Sequence, residues 1–288
     1  MVQIDRMLLD DIGGNPVKIV AEILRQNSGI SLPIPLEEIA KAAGIVSIEY
    51  RALDGCEGML VTDENKREGI IAVRERPVEG RMRFTLGHEL GHFLNPWHKK
   101  PGGEFLCSTD DLKKTGDKQR DDNFRMESEA NTFAAEILIP RQELAKDLRR
   151  LKGADMDHIV TLSKRYNTSK EMMARRYIDF QDDTAAIIFS RNGRIIYVHK
   201  HQYFPGLCVW SDNPVPPGSL TSQYKGDEGT SSNWAEHPAD TWLSSTRYES
   251  VHEQVLRQQD GFMMTLLTLG DKKDEEEESL VKSWGKKF

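Results

Sequence analysis

Residues 88–92 of the chain, HELGH, carry the pattern on which the predicted fold and chemistry depend. They lie between Glu79 and Asn95, a stretch predicted to form a helix that ends before the following proline. Residues four apart on a helix lie one turn above each other, with about 5–6 Å between Cβ atoms, so the two histidines can bind one zinc ion together. Glu89 lies about 100° around the helix from His88, where its carboxylate can reach a metal-bound water without being a ligand.

The apolar residues of this helix point in another direction. With His88 at 0° and about 100° per residue, His92 falls near 40°, whereas the main apolar residues cluster at about 120–200°. Those apolar residues are Met82, Leu86, Leu90 and Phe93. A histidine of the hydrophobic core would lie within that cluster. The two imidazoles are therefore predicted to face a cleft or a second layer, as metal ligands do.

A catalytic zinc ion needs a third protein ligand and an open fourth position. His98 has the spacing of a metzincin ligand, HExxHxxNxxH, but the sequence contains no recognisable methionine turn. Two further candidates, Glu127 and Glu129, lie on a second predicted helix from about Asn123 to Leu138. The third ligand is therefore to be chosen among three residues.

The helical positions of the two glutamates distinguish them. With Ala130 at 0°, Glu127 falls near 60°, inside the apolar stripe, and Glu129 near −100°, on the polar face. A carboxylate within an apolar stripe is costly unless it is paired or bound to a metal, so Glu127 is the predicted ligand. The alternative for Glu127 is an internal salt bridge to Arg81 or Arg83.

Other polar residues on or near the two predicted helices are assigned further roles in the candidate site. Asn131 lies one turn after the predicted glutamate ligand and is placed to hydrogen-bond one imidazole. Glu89 is the predicted base that takes the proton of the attacking water. His98 and Glu129 remain alternative ligands, and His98 and Arg125 are candidates for stabilising the oxyanion.

Two segments, residues 81–92 (RMRFTLGHELGH) and 127–140 (ESEANTFAAEILIP), resemble the signature sequences of the ImmA/IrrE metallopeptidases. The resemblance covers about residues 15–180. It implies a zincin-like fold, with helices on a small sheet. It also implies regulatory proteolysis, in which a helix-turn-helix transcriptional repressor is cleaved after stress or a mobile-element signal.

The same resemblance assigns the site residues. It implies that zinc is held by His88, His92 and Glu127, and that Glu89 acts as the base. From the residues and the resemblance together we expect a zinc-dependent endopeptidase with a protein substrate. The rival expectation is a non-enzymatic regulator that binds a repressor or DNA and keeps a structural zinc site.

The pattern of elements along the chain predicts an α+β fold. A zincin-like metallopeptidase domain of helices on a small β-sheet is expected over residues 1–150, followed by a helical hairpin over 151–182. A β-rich C-terminal domain of unassigned role is expected over 183–270, and a charged tail over 271–288. Within the first domain, the strand from Gly69 to Arg74 is hypothesised to be an exposed edge that pairs with an extended substrate.

Composition favours a protein-binding or enzymatic role over a nucleic-acid-binding one. The chain has 39 Lys and Arg against 46 Asp and Glu, so its net charge is −7, which suits phosphate backbones poorly. Residues 141–180 are locally basic, and residues 162–180 resemble a helix-turn-helix. We favour a helical hairpin packed on the peptidase core there, with DNA contact as the less favoured alternative.

Cysteine usage and hydropathy indicate a cytoplasmic location. The three cysteines, Cys56, Cys107 and Cys208, are odd in number and far apart, which argues against a disulfide framework. The first residues lack the basic and apolar regions of a signal peptide. The sequence contains no apolar stretch long enough for a membrane span, so no membrane partner is expected. Cys208, beside Val209 and Trp210, is expected to be packed in a core.

Overall fold

A computed structural model describes residues 2–114, 121–244 and 247–272. Most of the predicted charged tail, residues 273–288, therefore lies outside the described part of the chain. Among the described residues, none of the helices has the length and apolar character that a bilayer crossing requires.

The described chain forms two compact units, each with its own sheet. The first unit consists of the chain up to Leu144 together with Leu162–Met173. The second consists of Ala145–Thr161 together with the described residues from Ala174 onward. The prediction of a mixed α+β fold with helices on a small sheet and a β-rich C-terminal part is confirmed.

The first half of the chain supplies helices and one four-stranded sheet. The helices are α1 (Arg6–Ile12), α2 (Pro16–Gln26), α3 (Leu36–Ala43), α4 (Glu79–Leu94) and α5 (Asp122–Leu138). The strands are β1 (Ile45–Arg51), β2 (Gly58–Thr62), β3 (Gly69–Arg74) and β4 (Glu104–Cys107). Three further helices follow along the chain: α6 (Arg141–Leu148), α7 (Met156–Arg165) and α8 (Lys170–Phe180).

Side-chain caps fix where two of these helices begin. The Asn15 side chain accepts a hydrogen bond from the Lys18 amide at the start of α2, and Pro16 occupies the first turn. The Asp121 side chain accepts from the amides of Asn123 and Phe124 at the start of α5. The two helices thus begin at residues whose side chains satisfy amides that the helix itself leaves unpaired.

The four strands lie in the order β1-β3-β2-β4. β3 runs parallel to β1 and antiparallel to β2, so both of its edges are paired. The hypothesis that the strand Gly69–Arg74 is an exposed edge is therefore wrong. β4 is the outer strand on the side of β2, and β2 is its strand neighbour within the described residues.

Close approach of α4 and α5 brings the predicted site residues together. A Cβ atom at Gly87 would lie 3.2 Å from Ala134, and one at Gly91 would lie 3.1 Å from the Phe133 side chain. These two glycines, one turn apart on α4, therefore let the backbone of α4 approach α5 closely. The histidines of α4 and the carboxylate of α5 can meet because the two helices are this near.

The second unit is built on a five-stranded antiparallel sheet in the order β6-β5-β9-β8-β7. Its elements are β5 (Ala185–Arg191), β6 (Arg194–Lys200), a short helix α9 (Leu220–Gln223), β7 (Ala235–Pro238), β8 (Ser250–Arg257) and β9 (Phe262–Leu269). The Asn192-Gly193 hairpin predicted from the sequence joins β5 and β6, with both residues at positive φ. Asp260-Gly261 likewise joins β8 and β9.

The environment of Cys208 differs from the expectation. Cys208 is exposed, and the neighbouring Trp210 is 67% exposed, so the prediction that this segment is packed core is wrong. The segment lies outside the named strands, where hydropathy does not report which side chain faces inward. The core of this unit instead contains Trp242, which is fully buried with residues of the sheet such as Ile188 and Val251.

The junction between α3 and β1 requires a glycine at position 44, and this requirement can be tested. Gly44 has φ of 112°, and a Cβ there would lie 2.6 Å from the carbonyl oxygen of Arg67. We expect Gly44→Ala to lower the free energy of unfolding by more than the roughly 1–3 kcal/mol typical of backbone strain alone. Gly29→Ala is the matched control, since Gly29 also has positive φ but no atom within 4 Å of its added Cβ. Urea unfolding that gives equal losses for the two variants would contradict this reading.

Candidate metal centre

Three ligand atoms converge between α4 and α5. The Nε2 atoms of His88 and His92 lie 3.1 Å apart. The Oε2 atom of Glu127 lies 3.1 Å from the first and 3.3 Å from the second. All three side chains are buried. The structure thus brings the predicted ligand set together as a candidate metal-binding group.

The spacing of these atoms fits a zinc ion. Zinc binds imidazole nitrogen and carboxylate oxygen at about 2.0–2.2 Å in tetrahedral geometry, which places neighbouring ligands about 3.3–3.6 Å apart. The observed separations of 3.1–3.3 Å are close to that range. Two histidines and a glutamate are also a ligand set that catalytic zinc sites use. His88, His92 and Glu127 could therefore hold zinc with little rearrangement.

Asn131 orients the first histidine. Its Oδ1 atom lies 2.8 Å from Nδ1 of His88. Its amide nitrogen donates to the carbonyl oxygens of Asp111 and Lys114 at 2.7 and 2.9 Å, which fixes the amide so that Oδ1 faces the imidazole. Nδ1 of His88 must then be the protonated nitrogen, and the lone pair of Nε2 points to the candidate metal position.

His98 and Glu129 lie behind His92 rather than in the ligand group. Nδ1 of His98 is 3.0 Å from Nδ1 of His92, and Nε2 of His98 is 2.9 Å from Oε2 of Glu129. Asn95 also donates to Glu129 at 3.0 Å. His98 therefore contacts the ring nitrogen of His92 that faces away from the site, and Glu129 holds His98 in turn. The geometry favours Glu127 over His98 or Glu129 as a ligand.

The candidate oxyanion and salt-bridge partners also lie elsewhere. Arg125 is half-exposed and pairs with Asp122 at 3.3 Å. Arg83 donates to the backbone carbonyl of Ile34 at 2.8 Å rather than to Glu127. The Nζ atom of Lys100 instead lies 3.4 Å from Oε1 of Glu127.

Electrostatics favour the charge states that metal binding requires at His92 and Glu127, whereas His88 must give up a proton. Burial lowers the pKa of His92 to about 3, so its imidazole is neutral. Burial would raise the pKa of Glu127, but hydrogen bonds from the two imidazoles outweigh it and hold the pKa below its usual range. Burial would lower the pKa of His88, but its bond to Glu127 raises it overall. A cation at this position would replace the proton that His88 and Glu127 share.

Glu89 stands apart from this network. Its side chain is fully buried, and neither carboxylate oxygen has a hydrogen-bond partner within residues 2–114, 121–244 and 247–272. Burial raises its pKa to about 8. The Glu89 carboxylate lies directly against the backbone of Gly58, and a Cβ atom at that position would lie 2.5 Å from Oε1 of Glu89. A buried carboxylate left without a partner is costly, which fits a group that meets a ligand or water in its working state.

Three contributors were missed by reasoning from the sequence. Lys66 is buried and donates to the carbonyl oxygens of His92 and Asn95, at 2.5 and 2.8 Å. It thereby supplies hydrogen bonds to carbonyl groups at the C-terminal end of α4. Lys100, whose Nζ atom approaches Glu127, carried no prediction. Cys107, at the end of β4, is buried, and burial raises the pKa of its thiol. Only the alternation of exposed and buried side chains along β4 could have indicated that Cys107 faces inward.

The site and the fold together define a zincin-like, metallopeptidase-type domain. Residues 46–177 match the family model Peptidase_M78, described as the IrrE N-terminal-like domain. This part of the chain is therefore similar to the IrrE N-terminal-like domain, and the resemblance to the ImmA/IrrE metallopeptidases is confirmed.

One solved structure extends the similarity beyond this domain. It is described as a Mycobacterium tuberculosis transcriptional regulator, and it is similar to this chain with a TM-score of 0.54 and 13% sequence identity. The similarity covers 88% of this chain and 87% of that chain, so the two share a fold over most of their lengths. No curated protein matches the chain.

Removal of one carboxylate tests the ligand set. We expect Glu127→Ala to lower zinc affinity by more than the 10–100-fold that is typical of residues outside the ligand set, because a direct ligand is lost. Glu129→Ala, on the same helix, and His98→Ala should retain one zinc per chain. Elemental analysis after dialysis is the measurement. Retention by Glu127→Ala together with loss by His98→Ala would indicate a metzincin-like arrangement instead.

Lys66 predicts a specific pH dependence of stability. Burial lowers its pKa to about 7, whereas an unfolded lysine has a pKa of about 10.4. Between these values the unfolded chain binds more protons, so the free energy of unfolding should rise as the pH increases from about 7 to about 10. Lys66→Met should show a smaller rise in urea unfolding across this range. An unchanged pH dependence would contradict the prediction.

Proposed function

We propose that this chain is a zinc-dependent endopeptidase that hydrolyses a peptide bond in a protein substrate. One observation supports this above all: two imidazole nitrogens and a carboxylate oxygen converge beside a buried, unpartnered Glu89. A purely structural zinc site is usually closed by four protein ligands. Here the convergent group has three, which leaves a position for water and substrate.

The side chains divide the chemistry among them. A bound zinc supplies a water molecule of lowered pKa and a Lewis acid for the scissile carbonyl. Glu89 has no hydrogen-bond partner among the described residues, and a cation bound nearby would favour its ionised form. Its carboxylate could then accept the proton of the attacking water and return it to the leaving amine. Lys100 places a cation near Glu127, where it can stabilise negative charge that develops on the substrate.

The outer strand β4 gives an extended substrate a place to bind. Its Cys107 has a ligand atom within 4.8 Å of those of His88 and Glu89, so the strand runs past the site. The Phe105 ring lies with its centroid 4.9 Å from that of His92. A substrate segment that pairs with β4 as an added strand would thus pass close to the candidate metal position.

For the substrate itself we propose a helix-turn-helix transcriptional repressor, cleaved in the cytoplasm in response to stress or a mobile-element signal. The IrrE N-terminal-like domain and its resemblance to regulatory metallopeptidases support this. The description of the similar mycobacterial structure as a transcriptional regulator agrees with a regulatory role. It equally supports the second candidate, a non-enzymatic regulator that binds a repressor or DNA and uses zinc only for structure.

Glu89→Gln separates the two candidates. The amide cannot accept a proton, so we expect cleavage to fall by about 10²–10⁴-fold while fold and zinc content are unchanged. Glu64→Gln, at an exposed position, is the matched control and should cleave normally.

The assay incubates the full chain with the helix-turn-helix regulator encoded beside it, with and without a chelator, and reads the products by intact mass. Chelator-sensitive cleavage by the wild type and the control variant is the expected result. A Glu89→Gln chain that retains the full regulatory effect would favour the non-enzymatic candidate.

A further inference from the structure

A second group of ligand atoms lies beside the first. His88, Glu89 and Cys107 each offer one ligand atom, and these three atoms lie within 4.8 Å of one another. All three residues are buried. Two come from α4 and the third from the end of β4, so the group lies where the sheet edge meets the helix.

The contacts of these residues indicate a ligand rather than ordinary packing. Both oxygens of Glu89 are buried, and neither has a hydrogen-bond partner in the part of the chain that the structure describes. The Sγ atom of Cys107 donates only a weak hydrogen bond, to the carbonyl oxygen of Ser108 at 3.6 Å, which a bound cation could replace. Asn131 occupies Nδ1 of His88, so Nε2 is the nitrogen that remains for a cation. The group therefore offers nitrogen, oxygen and sulfur donors to one position.

We infer that His88, Glu89 and Cys107 form an alternative site for a thiophilic divalent cation. The thiolate makes this set softer than the set of His88, His92 and Glu127, so it should favour cations that prefer sulfur. Binding replaces the S–H bond of Cys107 by a sulfur–metal bond and releases one proton to solvent. Because both sets use Nε2 of His88, only one of them can be filled at a time.

Occupation of this second set would change the chemistry of the site. Glu89 would become a ligand and could no longer act as a base, so a chain with the cation in this position would be inactive. Only this expected loss of activity rests on the proposed peptidase function. The existence of the second set can be tested without any activity measurement.

The test uses Cd²⁺ and the full chain with Cys56→Ser and Cys208→Ser, so that Cys107 is the sole thiol. We expect a thiolate-to-cadmium charge-transfer band in the near ultraviolet that saturates at one Cd²⁺ per chain. Adding Cys107→Ser or Cys107→Ala should abolish the band. Glu127→Ala or Glu127→Gln, which disrupts only the first set, should retain it. Glu89→Ala should weaken Cd²⁺ binding by more than the 10–100-fold that is typical of residues outside the ligand set, because a direct ligand is lost.

The opposite pattern would overturn the inference. A band that survives Glu89→Ala but disappears in Glu127→Ala would make Cys107 a fourth ligand of the first set. Absence of the band in the folded parent chain, checked by circular dichroism, would exclude thiolate binding. Zinc-dependent cleavage of the repressor, measured without Cd²⁺, reports on the proposed function separately, so failure of one leaves the other standing.

Discussion

The structure of the first unit depends on the cost of burying charge. Glu127 and Glu89 are removed from water within a few ångströms of two imidazoles, and an uncompensated carboxylate in such a place strongly destabilises a protein. Glu127 is compensated by hydrogen bonds from both histidines. Glu89 has no hydrogen-bond partner among the described residues, and only the charges of His88 and Lys100 partly offset its burial. This asymmetry matches the proposed division of roles, in which Glu127 is a metal ligand and Glu89 is the base.

Several features outside the ligand group serve to maintain it. The glycines on α4 allow α5 to approach, and Asn131 selects the protonated nitrogen of His88 through two backbone carbonyls. Lys66 satisfies carbonyl oxygens at the end of α4, next to His92. His98 and Glu129 hold the far side of the His92 ring. The ligand atoms are thus positioned before any cation arrives, which reduces the entropy lost on binding.

The spacing of residues along the sequence predicted most of the features that lie within a single helix or turn. The facing of the two histidines and the location of Glu127 in an apolar stripe both follow from helical spacing, and the Asn-Gly and Asp-Gly turns follow from backbone preference. Strand order could not be obtained this way, since β3 is interior only because β1 and β2 pair with it from both sides. Lys66 was missed because it meets His92 from 26 residues away, and Cys208 because its segment has no regular alternation.

The central claim is that two neighbouring helices clasp one zinc ion. Crystals of zinc-loaded protein, measured at the zinc absorption edge, test it most directly. The account predicts one anomalous peak per chain, about 2.0–2.2 Å from Nε2 of His88, Nε2 of His92 and a carboxylate oxygen of Glu127. A peak bound instead by His98 and Glu129, or no peak in protein saturated with zinc, would contradict it.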